Sequence, residues 1–267
     1  MSQKQISNTF SNSIACYLLS VWNRFCFEMV FALASDPWQY TSVHAQTKYD
    51  HVLQLLLSSP ISRVLELACA EGHFSVQLAP HVDRLTCADI SQIALNRAAK
   101  RCTVHQLYNI EFVHLDITKD LLPGSFDLIV CSEVLYYVGG KSNLQKVCCK
   151  LADALAPGGY LITTNANRVN DESASTRSGW LRPYGAQVIG ETLASTPRLQ
   201  LVKEIRTAFF RTHLFQHCAP TKINQPDCSA AIVDLTDKRI PPPPEQGIFA
   251  LFSLAFLYNQ LQRFYKQ

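Results

Sequence analysis

Three carboxylates stand where predicted strands end, at positions suited to holding a nucleotide-like ligand. Glu66 lies near the end of an apolar, β-prone run, Asp89 ends the next run, and Asp116 follows the third. Glu66 and Asp89 are about 20 residues apart, the interval at which a carboxylate on a second strand reaches ribose hydroxyls. A carboxylate accepts two hydrogen bonds from a vicinal diol, so this chemistry requires Asp or Glu. The alternative is that Asp89 only caps the helix beginning near Ser91.

The turn between the first strand and the first helix, residues 68–72, reads Ala-Cys-Ala-Glu-Gly. A dinucleotide-binding turn carries three glycines that let the backbone approach a pyrophosphate. Here only Gly72 is glycine, Ala68 and Ala70 stand at the other positions, and Glu71 would repel phosphate. The turn therefore argues against an NAD-dependent enzyme. S-adenosylmethionine has an adenosine, a sulfonium and an ammonium but no phosphate, and Glu66 and Glu71 suit such a ligand.

The elements that must position these residues alternate between strand and helix patterns, which predicts a parallel α/β sheet with right-handed crossovers. The run from Phe126 to Cys131 is nearly unbroken in its apolar character, as expected for a central strand buried on both faces. A later stretch without an intervening helix predicts an antiparallel hairpin that turns around Arg206–Ala208. The predicted strands are 63–67, 84–88, 110–115, 126–131 and 160–164, and the helices are 74–79, the stretch after Ser91, 143–155 and 186–193.

Three parts of the chain follow from these patterns: an N-terminal helical cap (1–59), a ligand-binding domain (60–216) and a C-terminal segment (217–267). Residues 14–34 and 47–57 read as helices, and the first of them could cover the site or pack on the sheet edge. Residues 165–184 read as a loop over the site. Residues 217–247 read as a loop ending in four prolines, and 248–264 as an apolar helix that could cover the core, dimerise or lie on a membrane surface.

Composition excludes several classes of function. The formal net charge is only +3 and no run of Lys or Arg exceeds two, so a nucleic-acid partner is not expected. The ten cysteines form no C-x-x-C pair, so no metal site is expected, and the thiols fit a reducing, cytoplasmic location. No stretch reaches the ~20 apolar residues of a membrane span. The apolar run 14–22 is followed by Arg24 and Glu28, which argues against a secretory signal.

Five motifs occur in an order that resembles class I S-adenosylmethionine-dependent methyltransferases across about residues 60–215. They are Val-Leu-Glu-Leu-Ala-Cys-Ala-Glu-Gly (64–72), Asp-Ile-Ser (89–91), His-Leu-Asp (114–116), Phe-Asp-Leu-Ile-Val-Cys-Ser-Glu-Val-Leu-Tyr-Tyr (126–137) and Leu-Ala-Pro-Gly-Gly-Tyr (155–160). Asp-Pro-Trp at 36–38, Lys48-Tyr49 and Ser132–Tyr137 look more specifically like the NodS-like methyltransferases. Two departures are Ala68, where the superfamily usually has glycine, and Ala45, where relatives often carry glutamate.

The resemblance implies a Rossmann-like α/β fold: a seven-stranded, mostly parallel sheet with helices on both faces and an antiparallel last strand. It implies S-adenosyl-L-methionine as the cofactor, with Glu66 and Gly72 at its amino-acid end, Asp89 at the ribose, and Asp116 with Ile117 at the adenine. The expected cofactor-binding residues are Glu66, Ala68, Ala70, Gly72, Asp89, Ile90, Asp116, Ile117 and Ser132.

Methyl transfer from an activated sulfonium mainly requires alignment and exclusion of water, and an amine acceptor must also lose a proton. Glu133, directly after the central strand, is the candidate base, and Tyr136 and Tyr137 could orient the acceptor. Alternatively, Glu133 is a solvated loop charge and the tyrosines are ordinary packing residues. The family's named member methylates an amino group on a deacetylated chito-oligosaccharide, which implies a small amine acceptor here. Methylation of a hydroxyl group and a catalytically silent binding protein are the alternatives.

Overall fold

The computed structural model describes residues 21, 24–56, 61–167, 184–218, 230–236, 238 and 240–243. The predicted helix 248–264 and most of the predicted loop 165–184 lie outside these ranges. Within the described residues, no helix is long and apolar enough to cross a membrane.

The centre of the molecule is a mixed sheet with the order β3-β2-β1-β4-β5-β7-β6-β8 in its described part. Strands β1 to β5 are parallel, β7 runs antiparallel to both β5 and β6, and β8 pairs in parallel with β6. The strands are β1 (Arg63–Leu67), β2 (Arg84–Asp89), β3 (Ile110–His114), β4 (Phe126–Ser132), β5 (Leu155–Ala166), β6 (Leu199–Arg206), β7 (Phe210–His217) and β8 (Ala231–Asp234).

Helices cover both faces of this sheet, as predicted. Alternate residues of β4 point into two cores: Ile129 packs with helices α5 and α6 on one face, and Val130 packs with α2, α3 and α4 on the other. The unbroken apolar run of β4 therefore reflects burial on both sides. The helices are α1 (24–33), α2 (Val43–Leu56), α3 (Ser75–Leu78, continued by a 3-10 turn Ala79–His81), α4 (Gln92–Val104), α5 (Lys141–Asp153) and α6 (Ala186–Ala194).

The strand β8 corrects two expectations, because 217–247 was read as a loop and the sheet was expected to have seven strands. Eight strands are present in the described part of the chain. Ala231 and Asp234 of β8 pair with Lys203 and Arg206 of β6, so β8 covers the edge of β6. Ile232 is 54% exposed. Backbone pairing rather than side-chain burial therefore stabilises β8, and its sequence shows no alternation of apolar and polar residues.

Several boundaries also differ from the expected ones. Strand β3 ends at His114, so Asp116 follows the strand at a distance of two residues, and β5 begins at Leu155 rather than at Tyr160. The hairpin of β6 and β7 turns at residues 207–209, as predicted. Ser91 caps α4, since its Oγ accepts a hydrogen bond from the Ala94 amide, also as predicted. The division of the chain into cap, domain and C-terminal segment stays a prediction.

Candidate active site

A cavity of about 720 Å³ opens at the carboxyl ends of β1, β2, β4 and β5, within the size range of small-molecule sites. The structure brings most of the expected site residues to its wall. They are Glu66, Ala68, Ala70, Asp89, Ile90, Asp116, Ile117, Ser132, Glu133 and Tyr137. Gly72 and Tyr136 do not line the cavity. We refer to the wall formed by Glu66, Ala68, Ala70 and Asp89 as the β1–β2 end, and to that formed by His44, Lys48, Glu133 and Asn167 as the β4–β5 end.

The turn after β1 is held in a conformation that alanine adopts at a cost. Ala68 and Ala70 both have left-handed backbones, with φ of 57° and 49°. The turn is held by hydrogen bonds from the Cys69 amide to the Ala88 carbonyl (3.1 Å) and from the Gly72 amide to the Cys69 carbonyl (2.9 Å). A left-handed conformation costs a residue with a Cβ roughly 1–2 kcal/mol. The fold thus imposes on two alanines a geometry that glycine adopts freely.

Gly72 packs closely against α4 and does not line the cavity, so its expected place at the amino-acid end of the cofactor stays a prediction. Its φ is +76°, and a Cβ added there would lie 2.9 Å from the Cβ of Ala98 on α4. Glycine is therefore needed because α4 approaches the turn closely, a contact that the spacing of the motif does not reveal.

Glu71 was expected to face a cationic ligand, but it turns away from the cavity. It is buried, its Oε1 lies 2.5 Å from Nη1 of Arg97, and its Oε2 accepts a hydrogen bond from the Asp36 amide at 3.0 Å. A buried carboxylate needs such partners, and α4 and the segment after α1 supply them. Glu71 thus ties the cap to the α/β core, whereas Glu66, at the end of β1, lines the cavity.

Glu66 combines burial with direct access to the cavity. Its Oε2 accepts a hydrogen bond from Ser75 Oγ (2.6 Å) and contacts the thiol of Cys87 (3.5 Å). Burial raises the pKa of Glu66 to about 7, although the Ser75 and Cys87 contacts act in the opposite direction. A cationic group entering the cavity would favour the ionised form of this carboxyl.

Asp89 both shapes its surroundings and lines the cavity. Oδ2 accepts a hydrogen bond from the Ala70 amide and Oδ1 one from the Ser91 amide, each at 2.9 Å. Burial raises the pKa of Asp89 to about 6 against the opposing effect of these bonds. Each carboxylate oxygen has a second lone pair for a ligand, so the ribose and capping interpretations of Asp89 are compatible.

Asp116 and Ile117 lie on the loop after β3. The Asp116 carboxylate accepts hydrogen bonds from the amide and the hydroxyl of Thr118 (2.9 and 2.6 Å), and Lys150 Nζ donates to the Ile117 carbonyl at 2.9 Å. These contacts fix the loop in place, so Asp116, Ile117 and Thr118 together form one wall of the cavity.

At the β4–β5 end, Glu133 is part of a hydrogen-bonded group rather than a solvated charge. It has a left-handed backbone (φ 57°), its Oε1 lies 3.0 Å from Lys48 Nζ, and its Oε2 accepts a hydrogen bond from the Tyr136 hydroxyl. Tyr136 is fully buried beneath Glu133 and so supports it from outside the cavity, which corrects its expected contact with a ligand. Tyr137 does line the cavity and packs edge-on against Phe27 of α1, with ring centroids 5.2 Å apart.

The cap contributes residues that the sequence patterns did not single out. Helix α1 lies over the site, so of the two alternatives for residues 14–34 its described part, 24–33, covers the cavity. Glu28 fixes this helix to the start of α4, because its carboxylate accepts hydrogen bonds from Ser91 Oγ (2.7 Å) and the Gln92 amide (2.8 Å). The sequence patterns did not single out the lining residues Phe27, Phe31, Tyr40 and His44, whereas the resemblance named Trp38 and Lys48 without giving them a role. The only available signal was the density of aromatic residues near Trp38.

Asn167 and the C-terminal segment complete the β4–β5 end. The Asn167 amide nitrogen donates to the Thr207 carbonyl (2.9 Å) and so joins the end of β5 to the hairpin turn. Its Oδ1 is buried without a hydrogen-bond partner among the described residues. Pro243 and Phe209 also line the cavity, and the Phe209 carbonyl accepts a hydrogen bond from the Asn167 backbone amide at 2.8 Å. The proline stretch that ends the predicted loop 217–247 therefore reaches the site through Pro243.

The cavity wall favours positively charged ligands. Among the described lining residues there are four carboxylates (Glu66, Asp89, Asp116, Glu133) and one lysine, Lys48, which is paired with Glu133. His73 also lines the cavity, and burial together with Arg101 lowers its pKa, which favours a neutral ring at pH 7. An acidic, partly enclosed wall attracts cations and repels phosphate.

Comparison with known proteins agrees with this geometry. The family model described as nodulation protein S (NodS) matches residues 31–208. The nodulation protein S of Rhizobium tropici is 34% identical over 175 residues, covering 63% of this chain and 70% of that protein, and the one from Sinorhizobium fredii is 31% identical, covering 62% and 76%. The crystal structure of N-methyltransferase NodS from Bradyrhizobium japonicum WM9 in complex with S-adenosyl-L-homocysteine superposes with a TM-score of 0.62 at 28% identity, covering 71% of this chain and 97% of that one.

Proposed function

The chain belongs to the nodulation protein S family and is an S-adenosylmethionine-dependent methyltransferase, and on that premise we propose that its acceptor is an amino group of a small, sugar-like molecule. The similar crystal structure is that of an N-methyltransferase, which supports an amine as acceptor. The observation that carries the proposal is the acidic cavity with two ends, one of which has the carboxylates that a nucleoside and an ammonium require.

The residues of the β1–β2 end fit the cofactor. Ala68 and Ala70 are small enough for a ligand to lie against the turn, and the two carboxylates Glu66 and Asp89 line the same cavity. Glu66 would hold the ammonium of the amino-acid part, Asp89 the ribose hydroxyls, and the loop with Asp116 and Ile117 the adenine. When bound, S-adenosylmethionine supplies a methyl group on a sulfonium, and the electron pair of the broken carbon–sulfur bond stays on sulfur.

The rest of the chemistry is positioning and exclusion of water. The aromatic rings of Phe27, Phe31 and Trp38 on the cap, with Tyr137 from the end of β4, enclose the cavity. A dry site strengthens the electrostatic contacts of the carboxylates and protects the reacting groups from hydrolysis. Tyr137 would orient the acceptor, and its ring face is suited to a neighbouring positive charge. Glu133, held by Lys48 and by the Tyr136 hydroxyl, would receive the amine or its neighbouring hydroxyl groups.

Two measurements test this function. Titration calorimetry with S-adenosylhomocysteine should show binding at one site, and a folded sample that does not bind it would contradict the cofactor assignment. A panel of amines, amino sugars and matching hydroxyl compounds should then show the mass gain of one CH₂ only on amines. Methylation of the hydroxyl compounds alone would overturn the proposed acceptor class.

We also propose a reducing, cytoplasmic location. The described cysteines are free, and six of the eight are buried (Cys26, Cys69, Cys87, Cys102, Cys131 and Cys148). Free thiols are typical of chains that work in a reducing compartment.

A further inference from the structure

The His44 ring is held by residues that are distant in the chain, and it lies away from the β1–β2 end of the cavity. It lies on α2, lines the cavity at the β4–β5 end, and is only 6% exposed. Its ring contacts Phe209 and Phe210 of the hairpin edge-on, with centroids 5.9 and 5.6 Å apart. Two aromatic rings and a third contact from the C-terminal segment therefore fix its orientation.

That third contact sets the tautomer of the ring. His44 Nδ1 lies 3.1 Å from the Pro241 carbonyl oxygen. A carbonyl oxygen can only accept a hydrogen bond, so Nδ1 carries the proton and Nε2 presents a lone pair. Burial, and next the positive charge of Lys48, lower the pKa of His44, which keeps the ring neutral and able to accept a proton at pH 7.

The charges around the ring are a lysine and a carboxylate. Lys48 comes from the same helix and Glu133 from the segment after β4. The hairpin contributes the rings of Phe209 and Phe210, and the C-terminal segment contributes the Pro241 carbonyl. Glu133 binds Lys48 through Oε1 and the Tyr136 hydroxyl through Oε2, which holds its carboxylate in place, and a carboxylate is in general a weaker base than an imidazole. His44 Nε2 is the better placed proton acceptor.

We propose that His44 is the general base that removes a proton from the acceptor's ammonium group, and that Glu133 positions this group. The inference rests on the proposed function. In the step, an N–H bond of the ammonium breaks, its electron pair stays on nitrogen as the nucleophile, and the proton passes to Nε2 and then to solvent. The same hydrogen bond to Pro241 that fixes the tautomer would stabilise the imidazolium that forms.

The test compares His44→Asn with a matched control, His51→Asn. Asparagine at position 44 can still donate a hydrogen bond near the Nδ1 position but has no basic nitrogen. His51 lies on the same helix, is also buried, and packs on the same Phe210 ring (5.5 Å), but it does not line the cavity. Both variants are assayed with a glucosamine tetramer from about pH 6 to about pH 9, across the titration of the amine.

His44→Asn should lower turnover by about 100-fold at the acidic end and approach wild type at the basic end, where the amine is already neutral. The affinity of His44→Asn for S-adenosylhomocysteine should stay within about twofold of wild type. The control His51→Asn should stay within about twofold of wild type in both turnover and this affinity. A loss that is equal at every pH, unchanged turnover, or loss of S-adenosylhomocysteine binding would overturn the role of His44. A wild-type protein that binds S-adenosylhomocysteine but does not methylate the tetramer or any other amine would instead overturn the proposed acceptor class, and this inference with it.

Discussion

The carboxylates at the β1–β2 end of the cavity are held by residues that lie near them in the chain. The charged groups at the β4–β5 end are held by residues from distant parts of the chain. Asp89 is bonded to the backbone of Ala70 and Ser91. At the other end, Lys48 meets Glu133 across 85 positions of the chain, and His44 meets Pro241 across 197. The first end can thus be recognised as a motif, whereas the second is assembled only by the tertiary structure.

The largest effect at the β1–β2 end is expected from Asp89→Ala. Loss of a charged hydrogen-bond partner should weaken S-adenosylhomocysteine binding by about 1.5–3 kcal/mol, roughly 10- to 150-fold, as measured by calorimetry. Asp89→Asn keeps an acceptor for the Ser91 amide and serves as a second variant if the alanine protein is unstable. Asp83→Ala, at the exposed opposite end of β2, is the control and should bind normally. Unchanged affinity in the folded Asp89 variants would remove the basis for calling this the cofactor end.

The buried carboxyls predict that stability without ligand falls as pH rises. Burial raises the folded-state pKa of Glu66 from 4.5 to about 7, so the unfolded state loses its proton first. The resulting contribution is fully present below about pH 4.5 and is lost as pH rises through about 7, on the order of 1–3 kcal/mol. Buried histidines with a lowered pKa, such as His44 and His73, contribute in the opposite direction, so urea unfolding at about pH 5 and about pH 8 isolates this fall as the difference between the wild type and Glu66→Gln. In Glu66→Gln the fall should be smaller, and an equal pH dependence in both proteins would contradict the assignment.

The Lys48–Glu133 pair predicts a coupling of about 1 kcal/mol between two variants at the β4–β5 end. Their side chains are 13% and 30% exposed, so solvent screens the pair only in part. Free energies of unfolding for Lys48→Gln, Glu133→Gln and the double variant give the coupling. S-adenosylhomocysteine affinity should stay within about twofold of wild type in all three. A strong loss of affinity would show that the two ends are not independent.

The smallest effect is expected from Ala68→Gly. Glycine relieves the left-handed backbone but loses more chain entropy on folding, so the net stabilisation should be below about 1 kcal/mol. Ala79→Gly is the control because Ala79 has an ordinary helical backbone (φ −54°) and is buried. That variant should be destabilised by about 1 kcal/mol or more, measured by urea unfolding. Comparable destabilisation of both variants would show that the turn at Ala68 is not strained.

Sequence patterns predicted correctly what depends on local order. The strand that contains Glu66, the strand that ends at Asp89 and the cap at Ser91 follow from β-prone runs and a capping residue, which act over a few positions. Glu71 and Gly72 were assigned to the ligand from the same motif but face α4, because a motif specifies the path of the backbone and not which neighbour meets each side chain. The strand β8 was missed because its exposed side chains carry no burial pattern.

The sequence by itself determined the class of fold, the family and the acidic β1–β2 end, since periodicity and short motifs encode them locally. Only the tertiary structure decided which groups meet at the β4–β5 end. Lys48 pairs with Glu133, and Pro241 sets the tautomer of His44, through contacts between segments that are distant in the chain. The stretch from Glu66 to Gly72 was the clearest feature of the sequence, yet the fold decides that Glu66 lines the cavity while Glu71 binds Arg97. The physical reason is that a buried charge must be paired, and its partner is whichever element the fold packs against it.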